Sequence, residues 1–216
     1  MKNLLFDLDG TLTDPAIGIT GGVAYALEKY GIVVEDHSTL HPFIGPPLIG
    51  AFREFYGFSE ERAVEALQYY REYFSTRGIF ENECYEGIPE MLQGLKEQGD
   101  RIILCTSKPE EFANRILAHF DLAKYFDFVG GNTLSEARPA KEDVIGYILG
   151  SFPDMKKEDT VMIGDRKYDI TAAKRFDLAS VGVLYGYGSR EELESAGADE
   201  LAENVAELRM LLEKNG

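Results

Sequence analysis

The chain has 216 residues, 44% of them hydrophobic, including 13 Phe and 12 Tyr. It can therefore bury a core, which excludes a disordered or collagen-like protein. Its 22 basic and 38 acidic side chains give a formal net charge of −16, and because such a charge repels phosphate backbones and anionic lipids, we expect neither a nucleic-acid polymer nor a membrane surface as a partner.

The first apolar stretch is short. Asp7 and Asp9 interrupt it, which does not fit a signal peptide, and no apolar run approaches the roughly 20 residues that span a bilayer. The two cysteines, Cys84 and Cys105, allow one disulfide at most, and the apolar surroundings of Cys105 indicate a buried thiol. These features predict a cytoplasmic protein.

A strand-length apolar run, Asn3–Phe6, opens the chain, and a long stretch with only helical patterns follows it. The predicted helices there are Ile17–Tyr30, Pro46–Tyr56 and Ser59–Thr76. A stretch of about 65 residues is too long for an ordinary crossover loop. It predicts an all-helical cap subdomain at residues 15–82, inserted into an α/β core of residues 1–14 and 83–216.

Strands and helices alternate after the insertion. Short, continuously apolar runs are typical of strands covered on both faces of a parallel sheet. The predicted strands are Arg101–Cys105, Phe126–Val129, Thr160–Ile163 and Ser180–Leu184, and the predicted helices are Ile88–Gln98, Glu110–Phe120, Lys141–Leu149 and Tyr168–Phe176. Residues 199–216 are predicted as a final amphipathic helix with a stripe of Val205, Leu208, Leu211 and Leu212. The pattern indicates an α/β fold with a three-layer, Rossmann-like parallel sheet that binds ligands at the carboxyl ends of its strands.

Two carboxylates follow the first strand. If the extended backbone continues, Asp7 and Asp9 point to the same side, and Gly10 lets the chain turn close to a ligand. Such a pair requires a cation or a shared proton. A calcium-binding EF-hand loop is excluded, because Leu12 and Gly18 stand where it needs Gly and Glu. A solvated acidic turn is the alternative interpretation.

Further polar residues follow other predicted strands. Asp165 and Asp169 come after one strand, and Thr106, Ser107 and Lys108 after another. Parallel strands bring both acidic clusters to one edge of the sheet, where oxygen ligands suit Mg²⁺. The hydroxyl groups of Thr106 and Ser107 and the charge of Lys141 suit a phosphate group. Taken singly, the hydroxyls are also typical of a helix N-cap, and the lysine of a solvated side chain.

In this order, the residues resemble the motifs of the haloacid dehalogenase-like hydrolase superfamily over essentially the whole chain. Residues Asp7-Leu8-Asp9-Gly10-Thr11 are similar to the first motif, Thr106 to the second, Lys141 to the third, and 164–169 to the fourth. The insertion is similar to the helical cap of the phosphoglycolate phosphatase-like branch. Segments 43–48, 164–169 and 183–189 resemble a bacterial subgroup described as 5′-nucleotidase-like.

The resemblance implies a mechanism. Asp7 is the nucleophile that forms an aspartyl-phosphate, and Asp9 is the general acid and base. Thr106 and Lys141 complete the catalytic set. Mg²⁺ is held by Asp7, the backbone carbonyl of Asp9, and Asp165, and Asp169 orients Lys141 or a metal-bound water. The expected substrate-binding residues are Gly10, Thr11, Ser107, Lys108, Gly45, Pro46 and Arg53.

One departure from the family pattern concerns the third motif. The residues before Lys141 are less basic and less rich in serine than expected, so Arg138 is a rival for its role. In the cap, Arg53 and several tyrosines either contact a nucleobase or pack the core of the cap itself. The tyrosines concerned are Tyr56, Tyr69, Tyr70 and Tyr73.

The reaction class follows from Asp9. Dehalogenases and phosphonate-cleaving relatives lack an acid at that position, so the resemblance implies a Mg²⁺-dependent phosphomonoesterase. We expect a small phosphorylated metabolite as substrate, a nucleoside 5′-monophosphate first, and a monomer or homodimer. The alternatives are 2-phosphoglycolate or broad small-phosphate hydrolysis, then a phosphomutase or a phosphate-accepting signalling domain.

Overall fold

The computed structural model describes residues 1–214. The chain divides into two compact units, one of residues Met1–Asp14 and Cys84–Gly216 and one of residues Pro15–Glu83. The first contains the α/β sheet and the second is helical. The division falls at residues 14/15 and 83/84, whereas the sequence predicts boundaries at 14/15 and 82/83. Among the helices of residues 1–214, none combines the length and the apolar character needed to cross a bilayer.

The helices and strands follow one another in this order: β1 Asn3–Phe6, β2 Thr13–Asp14, α1 Ala16–Glu28, α2 Leu48–Tyr56, α3 Glu60–Phe74, β3 Glu83–Cys84, α4 Ile88–Glu97, β4 Arg101–Pro109, α5 Glu110–His119, β5 Phe128–Asn132, α6 Lys141–Ser151, β6 Thr160–Gly164, α7 Lys167–Arg175, β7 Ala179–Val183, α8 Arg190–Ala196, β8 Glu200–Ala202 and α9 Val205–Lys214. Short 3₁₀ turns join several of these elements, and the longest is His37–Phe43.

Six strands form a parallel sheet in the order β5-β4-β1-β6-β7-β8, which confirms the predicted α/β class. The strand order reverses at β1, because the chain passes from it to β4 on one side and reaches β6 on the other. A reversal of this kind opens a crevice at the carboxyl ends of the strands. In register, Phe6 lies level with Leu104 of β4 and Ile163 of β6. The residues that follow these three strands are therefore neighbours.

The central strands of the sheet are buried at this point. Leu5, Ile103 and Met162, one from each central strand, are fully buried in one apolar cluster. Helices α6 and α7 cover this cluster with buried side chains, including Val144, Ile148, Ala172 and Ala173. Continuous apolarity in β1, β4 and β6 thus produces a close-packed platform for the loops at their carboxyl ends.

The helical unit has an aromatic core. Phe43, Phe52 and Phe58 pack together, with ring centroids 5.1 Å apart for the first pair and 5.9 Å for the second. The hydroxyl of Ser59 accepts a hydrogen bond from the amide of Arg62 at 3.3 Å and caps α3. The predicted helices of this segment are present, and they begin and end within three residues of the predicted bounds.

The C-terminal segment differs from the prediction. Residues 199–216 are predicted as one helix, but Glu200–Ala202 forms strand β8, and α9 begins at Val205. The exposed edge of β7 explains the difference, because its pairing with β8 satisfies backbone groups that a helix would leave at that edge. Leu208 and Leu212 of the predicted stripe are buried. Residues 215 and 216 of the predicted helix lie outside the described residues.

Candidate active site

The central strand sets the position of Asp7, the predicted nucleophile. The amide of Asp7 donates to the carbonyl of Ile163 at 2.9 Å, which continues the β1–β6 ladder one residue beyond β1. Gly10 then turns the chain with φ +82°, and its amide donates to the carbonyl of Thr13 at 2.8 Å. The Asp7 side chain is buried next to the end of the sheet, as the strand period requires.

Lys141 joins two of the predicted acidic residues. Its Nζ lies 2.8 Å from Asp7 Oδ1, 2.8 Å from Asp169 Oδ1 and 2.9 Å from the carbonyl oxygen of Cys105. Burial alone would lower the pKa of Lys141, but the carboxylates of Asp169 and Asp7 outweigh burial and hold it above its ordinary value. Lys141 is therefore a fixed positive charge beside the predicted nucleophile.

Asp169 has two roles in this arrangement. It lies in the first turn of α7, where its Oδ2 accepts a hydrogen bond from the amide of Arg166 at 3.1 Å. This cap directs the carboxylate back toward the strand ends, where its other oxygen lies 2.8 Å from the Nζ of Lys141. Burial raises the pKa of Asp169 to about 6, against the opposing charge of Lys141.

Asp165 is the most enclosed acid of the site. Its side chain is fully buried, and its Oδ2 accepts a hydrogen bond from the amide of Tyr187 at 2.8 Å. Its Oδ1 has no hydrogen-bond partner within residues 1–214. Burial and the neighbouring carboxylates of Asp169 and Asp7 hold the pKa of Asp165 well above its ordinary value. A buried carboxyl oxygen without a partner indicates a position for a cation.

Glycines make room around this carboxylate. A Cβ on Gly10 would lie 2.2 Å from Asp165 Oδ2, and one on Gly186 would lie 2.4 Å from the Cβ of Asp165. A Cβ on Gly188 would lie 2.0 Å from the carbonyl oxygen of Asp165. Gly186 and Gly188 both follow β7. In the structure they let the loop after β7 pack directly against the predicted metal ligand.

We expect Gly186→Ala to destabilise the protein by about 1–3 kcal/mol, because the new methyl group overpacks the Asp165 loop. The matched control is Gly150→Ala in α6, where an added Cβ meets nothing within 4 Å in the described part of the chain. This control should gain up to about 1 kcal/mol from helix propensity. Urea unfolding measures both changes, and equal stability of the two variants would contradict the close approach at Gly186.

Asp9 and Thr106 lie on the other side of Asp7 and share a partner. Asp9 Oδ2 is 2.7 Å from the Nζ of Lys108, and Thr106 Oγ1 accepts from the amide of Lys108 at 3.2 Å. Burial raises the pKa of Asp9, while Lys108 opposes that shift. The Thr106 hydroxyl accepts from this amide and, as a hydroxyl, can also donate its proton to an anion.

Three carboxylates suit a divalent cation. Asp7, Asp165 and Asp169 each offer an oxygen within 4.8 Å of the others. Lys141 balances one of their three charges, and the Oδ1 of Asp165 has no partner within the described residues. Carboxylate oxygens are ligands that suit Mg²⁺. The chemistry of the donor set thus fits the ion that the family resemblance implies.

The other predicted site residues have different surroundings. Thr11 is fully buried, and its carbonyl accepts a hydrogen bond from the hydroxyl of Tyr185 at 3.0 Å. Ser107 is partly exposed beside Thr106. In the helical unit, Gly45 has φ +105° and precedes Pro46 at the entrance to α2. Arg53 is more than half exposed and forms an ion pair of 2.7 Å with Glu60.

Arg138 does not join the acidic cluster. Its guanidinium donates to Glu110 Oε1 and to the carbonyl of Gly131, both at 2.7 Å, and lies over the ring of Tyr147. These contacts tie the loop before α6 to α5 and β5. Lys141 alone of the two rivals contacts Asp7 and Asp169.

Sequence reasoning missed an aromatic group near Asp165, a predicted metal ligand. Tyr85 and Tyr185 pack edge to face with centroids 5.0 Å apart, and the hydroxyl of Tyr187 donates to Asp14. Residues 185 and 187 alternate with Gly186 and Gly188 directly after β7, and this alternation was the available signal. Tyr185 and Tyr187 belong to the loop whose amide at residue 187 donates to Asp165.

Comparisons with known proteins agree with this arrangement. The family model of the haloacid dehalogenase-like hydrolases matches residues 4–183. A 5′-nucleotidase of Pseudomonas aeruginosa is 43% identical over 99% of this chain and 96% of its own length. The tyrosine-protein kinase PtkA of Mycobacterium tuberculosis is 34% identical over 97% of this chain and 72% of its own length.

A solved structure shows the same fold. The crystal structure of a predicted phosphatase from Clostridium acetobutylicum superposes with a TM-score of 0.96 at 48% sequence identity, and the match covers 99% of this chain and 98% of that one. It supports the parallel sheet with flanking helices that the sequence predicts. The family match extends across the strands that carry Asp7, Thr106 and Asp165, and across Lys141. The chain therefore belongs to the haloacid dehalogenase-like hydrolases, as its motifs indicate.

Proposed function

We propose that this protein is a Mg²⁺-dependent phosphomonoesterase that works through an aspartyl-phosphate. The observation that carries the proposal is the convergence of a buried carboxylate, Asp7, with a buried cation, Lys141, and a second acid, Asp9, at the carboxyl edge of one sheet. Paired acids beside a fixed cation suit attack on a phosphate ester followed by hydrolysis of the intermediate.

The residues divide the reaction between them. An oxygen of Asp7 attacks phosphorus while the bond from phosphorus to the leaving oxygen breaks, and Asp9 donates a proton to that oxygen. Asp9 then takes a proton from the water that attacks phosphorus, and this second step releases inorganic phosphate and restores Asp7. Lys141 and the hydroxyl of Thr106 stabilise the charge on the phosphoryl oxygens in both steps.

Mg²⁺ belongs to the same proposal. Asp7, the backbone carbonyl of Asp9, and Asp165 would hold it, with Asp169 outside this set because its oxygens bind Lys141 and cap α7. When bound, the ion neutralises charge that otherwise keeps a carboxylate away from a phosphate dianion. The partnerless oxygen of Asp165, within residues 1–214, supports this placement.

A nucleoside 5′-monophosphate is the proposed substrate. The support is the 43% identical relative named 5′-nucleotidase, together with the subgroup segments of the sequence. In the helical unit, Tyr56 is partly exposed and could contact a nucleobase. Tyr70 is buried against Phe74 and belongs to the core of the unit. We expect the enzyme to act as a cytoplasmic monomer or homodimer on small phosphorylated metabolites.

A phosphate-release screen over nucleoside 5′-monophosphates, 2-phosphoglycolate and sugar phosphates tests the proposal. We expect release from the nucleotides in Mg²⁺ and none after treatment with EDTA. Preferred hydrolysis of 2-phosphoglycolate would replace the substrate but keep the reaction class. Isomerised sugar phosphate without free phosphate would indicate a mutase, and phosphate transferred to tyrosine in an added protein would indicate a kinase. Either of these would overturn the proposed hydrolysis.

Mg²⁺ should stabilise the metal-free protein at pH 7.5. At a concentration ten times its Kd, the ion adds about 1.4 kcal/mol, which raises Tm by about 2–6 °C for a chain of this size. The effect should shrink at pH 5, because burial holds the pKa of Asp165, a proposed ligand, well above its ordinary value, so protons compete with the ion.

The raised pKa of Asp169 also sets the direction in which the stability of the metal-free protein changes with pH. The folded-state pKa of Asp169 lies above its unfolded-state value, so the folded form binds more protons between them. The contribution of this group to stability is therefore lost as pH rises through about 6. Differential scanning fluorimetry measures both effects. Asp165→Asn should lose the Mg²⁺ response, and an unchanged response in that variant would contradict the proposed ligand set.

A further inference from the structure

An irregularity in β4 brings Lys108 to the site. Thr106 pairs with Gly131 of β5, but the next pair joins Pro109 to Asn132, so residues 107 and 108 are extra on β4. A bulge of this kind redirects side chains and is frequent next to active sites. Gly131 makes it possible, because a Cβ there would lie 2.7 Å from the carbonyl oxygen of Lys108. The backbone on both strands is thus shaped around residue 108.

The side chain of Lys108 contacts both oxygens of one acid. Its Nζ lies 2.9 Å from Asp9 Oδ1 and 2.7 Å from Asp9 Oδ2, and the two side chains are 6% and 12% exposed. An ammonium group that faces both oxygens at these distances holds the carboxylate in one orientation. A buried ion pair contributes strongly only when its geometry is this close.

We propose that Lys108 is a positioning residue that orients Asp9 for proton transfer to the leaving-group oxygen. The inference rests on the proposed function, in which Asp9 is the general acid, and it differs from the sequence-based expectation that Lys108 binds the substrate. A residue that only positions Asp9 affects the rate only when Asp9 transfers a proton to the leaving group. The effect of removing Lys108 must then follow the need of each leaving group for a proton.

The test compares two aryl phosphates on the full-length protein with Mg²⁺. Phenyl phosphate releases a phenol with a pKa of about 10, which needs a proton donor, whereas 2,4-dinitrophenyl phosphate releases a far more acidic phenol. The ratio kcat/KM is the correct measure, because it covers every step up to release of the phenol and excludes later hydrolysis of the phosphoenzyme. The variants are Lys108→Met, Asp9→Asn and the double variant.

We expect Lys108→Met to lower kcat/KM for phenyl phosphate by about 10–100-fold, since general acids contribute about 10²–10⁴-fold. For dinitrophenyl phosphate the loss should stay below about 3-fold, and the double variant should lose no more than Asp9→Asn alone. The matched control is Lys96→Met, which removes a lysine from a pair of the same length, 2.7 Å, with Asp127 away from the site. It should not discriminate between the two substrates.

Each other outcome is decisive. An equal loss on both substrates, a raised KM for both, or losses that add to those of Asp9→Asn would overturn the inference and indicate direct substrate binding. If Asp9→Asn itself shows no dependence on the leaving group, the proposed acid is wrong, and the proposed mechanism fails before Lys108 is considered. If Lys108→Met does not fold, Lys108→Arg retains the charge but moves it; a loss confined to phenyl phosphate supports positioning, and unchanged kinetics overturn it.

Discussion

Asp7→Asn should lower kcat by about 10³-fold or more and leave the fold intact, since the removal of a nucleophile costs at least this much in comparable enzymes. The amide has nearly the shape of the carboxylate but does not attack phosphorus. Lys141 keeps Asp169 as its ionic partner, and the acidic cluster loses one of its repelling charges. Release of phosphate from p-nitrophenyl phosphate measures the loss, and thermal unfolding followed by circular dichroism measures the fold.

The matched control for this variant is Asp154→Asn. Asp154 forms an exposed ion pair of 2.8 Å with Arg101, and a surface change of this kind should alter activity by less than about twofold. If Asp7→Asn retained more than about a tenth of the activity, Asp7 would not be the nucleophile. The proposed covalent mechanism would then fail, although the family membership would stand.

Lys141→Met should lower kcat by about 10²–10³-fold, because the charge that stabilises the phosphoryl oxygens is lost. It should also reduce the free energy of unfolding by about 3–5 kcal/mol, because Asp7 and Asp169 remain buried without their cation. Steady-state kinetics and urea unfolding measure the two effects. Activity is compared in the absence of urea, at a temperature at which the variant is folded.

Arg138→Met is the matched control for the rival of Lys141. The contacts of Arg138 with Glu110, Gly131 and Tyr147 stabilise a loop but do not reach Asp7. We expect a stability loss of about 1–2 kcal/mol from the broken pair and activity within about threefold of the parent. The opposite ranking of the two variants in kcat would assign the third-motif role to Arg138.

The meeting of Asp7, Thr106 and Asp165 follows from sequence patterns alone. Asp7 and Thr106 come directly after continuously apolar runs, and Asp165 comes one residue after another such run. Such runs form neighbouring parallel strands in matched register. The predicted strand Asn3–Phe6 is present with the same bounds, and the α/β class is confirmed. The local sequence pattern is enough to predict these strands, because continuously apolar segments of this length are typical of strands that are buried on both faces.

The direction of Lys108 was not predictable. It depends on a bulge in β4 and on a glycine of β5, and pairing between strands distant in sequence decides both. The order of residues along the sequence shows neither the bulge nor the close approach at the glycine. The same reason applies to β8, which exists because β7 offers an edge, and to β5, which lies at Phe128–Asn132 rather than at the predicted Phe126–Val129.

The surroundings of Asp165 were hidden for another reason. The sequence around Gly186 and Gly188 gives no sign of a close approach, and only three-dimensional contact shows that a side chain at either position would collide with Asp165. Glycine has two uses, a backbone that needs positive φ and a backbone that approaches another group closely, and one sequence does not separate them. Neither glycine has a positive φ, so close approach is the reason for both.

Trapping the phosphoenzyme tests the covalent mechanism most directly. Asp9→Asn protein, in which hydrolysis of the intermediate is slowed, is mixed with p-nitrophenyl phosphate and Mg²⁺, quenched in acid and reduced with borohydride, which converts an aspartyl-phosphate to homoserine. Peptide mass spectrometry then locates the change. We predict homoserine in place of Asp7, and none in protein that also carries Asp7→Asn. Release of p-nitrophenol with Asp7 unmodified, or with another residue modified, would contradict the mechanism.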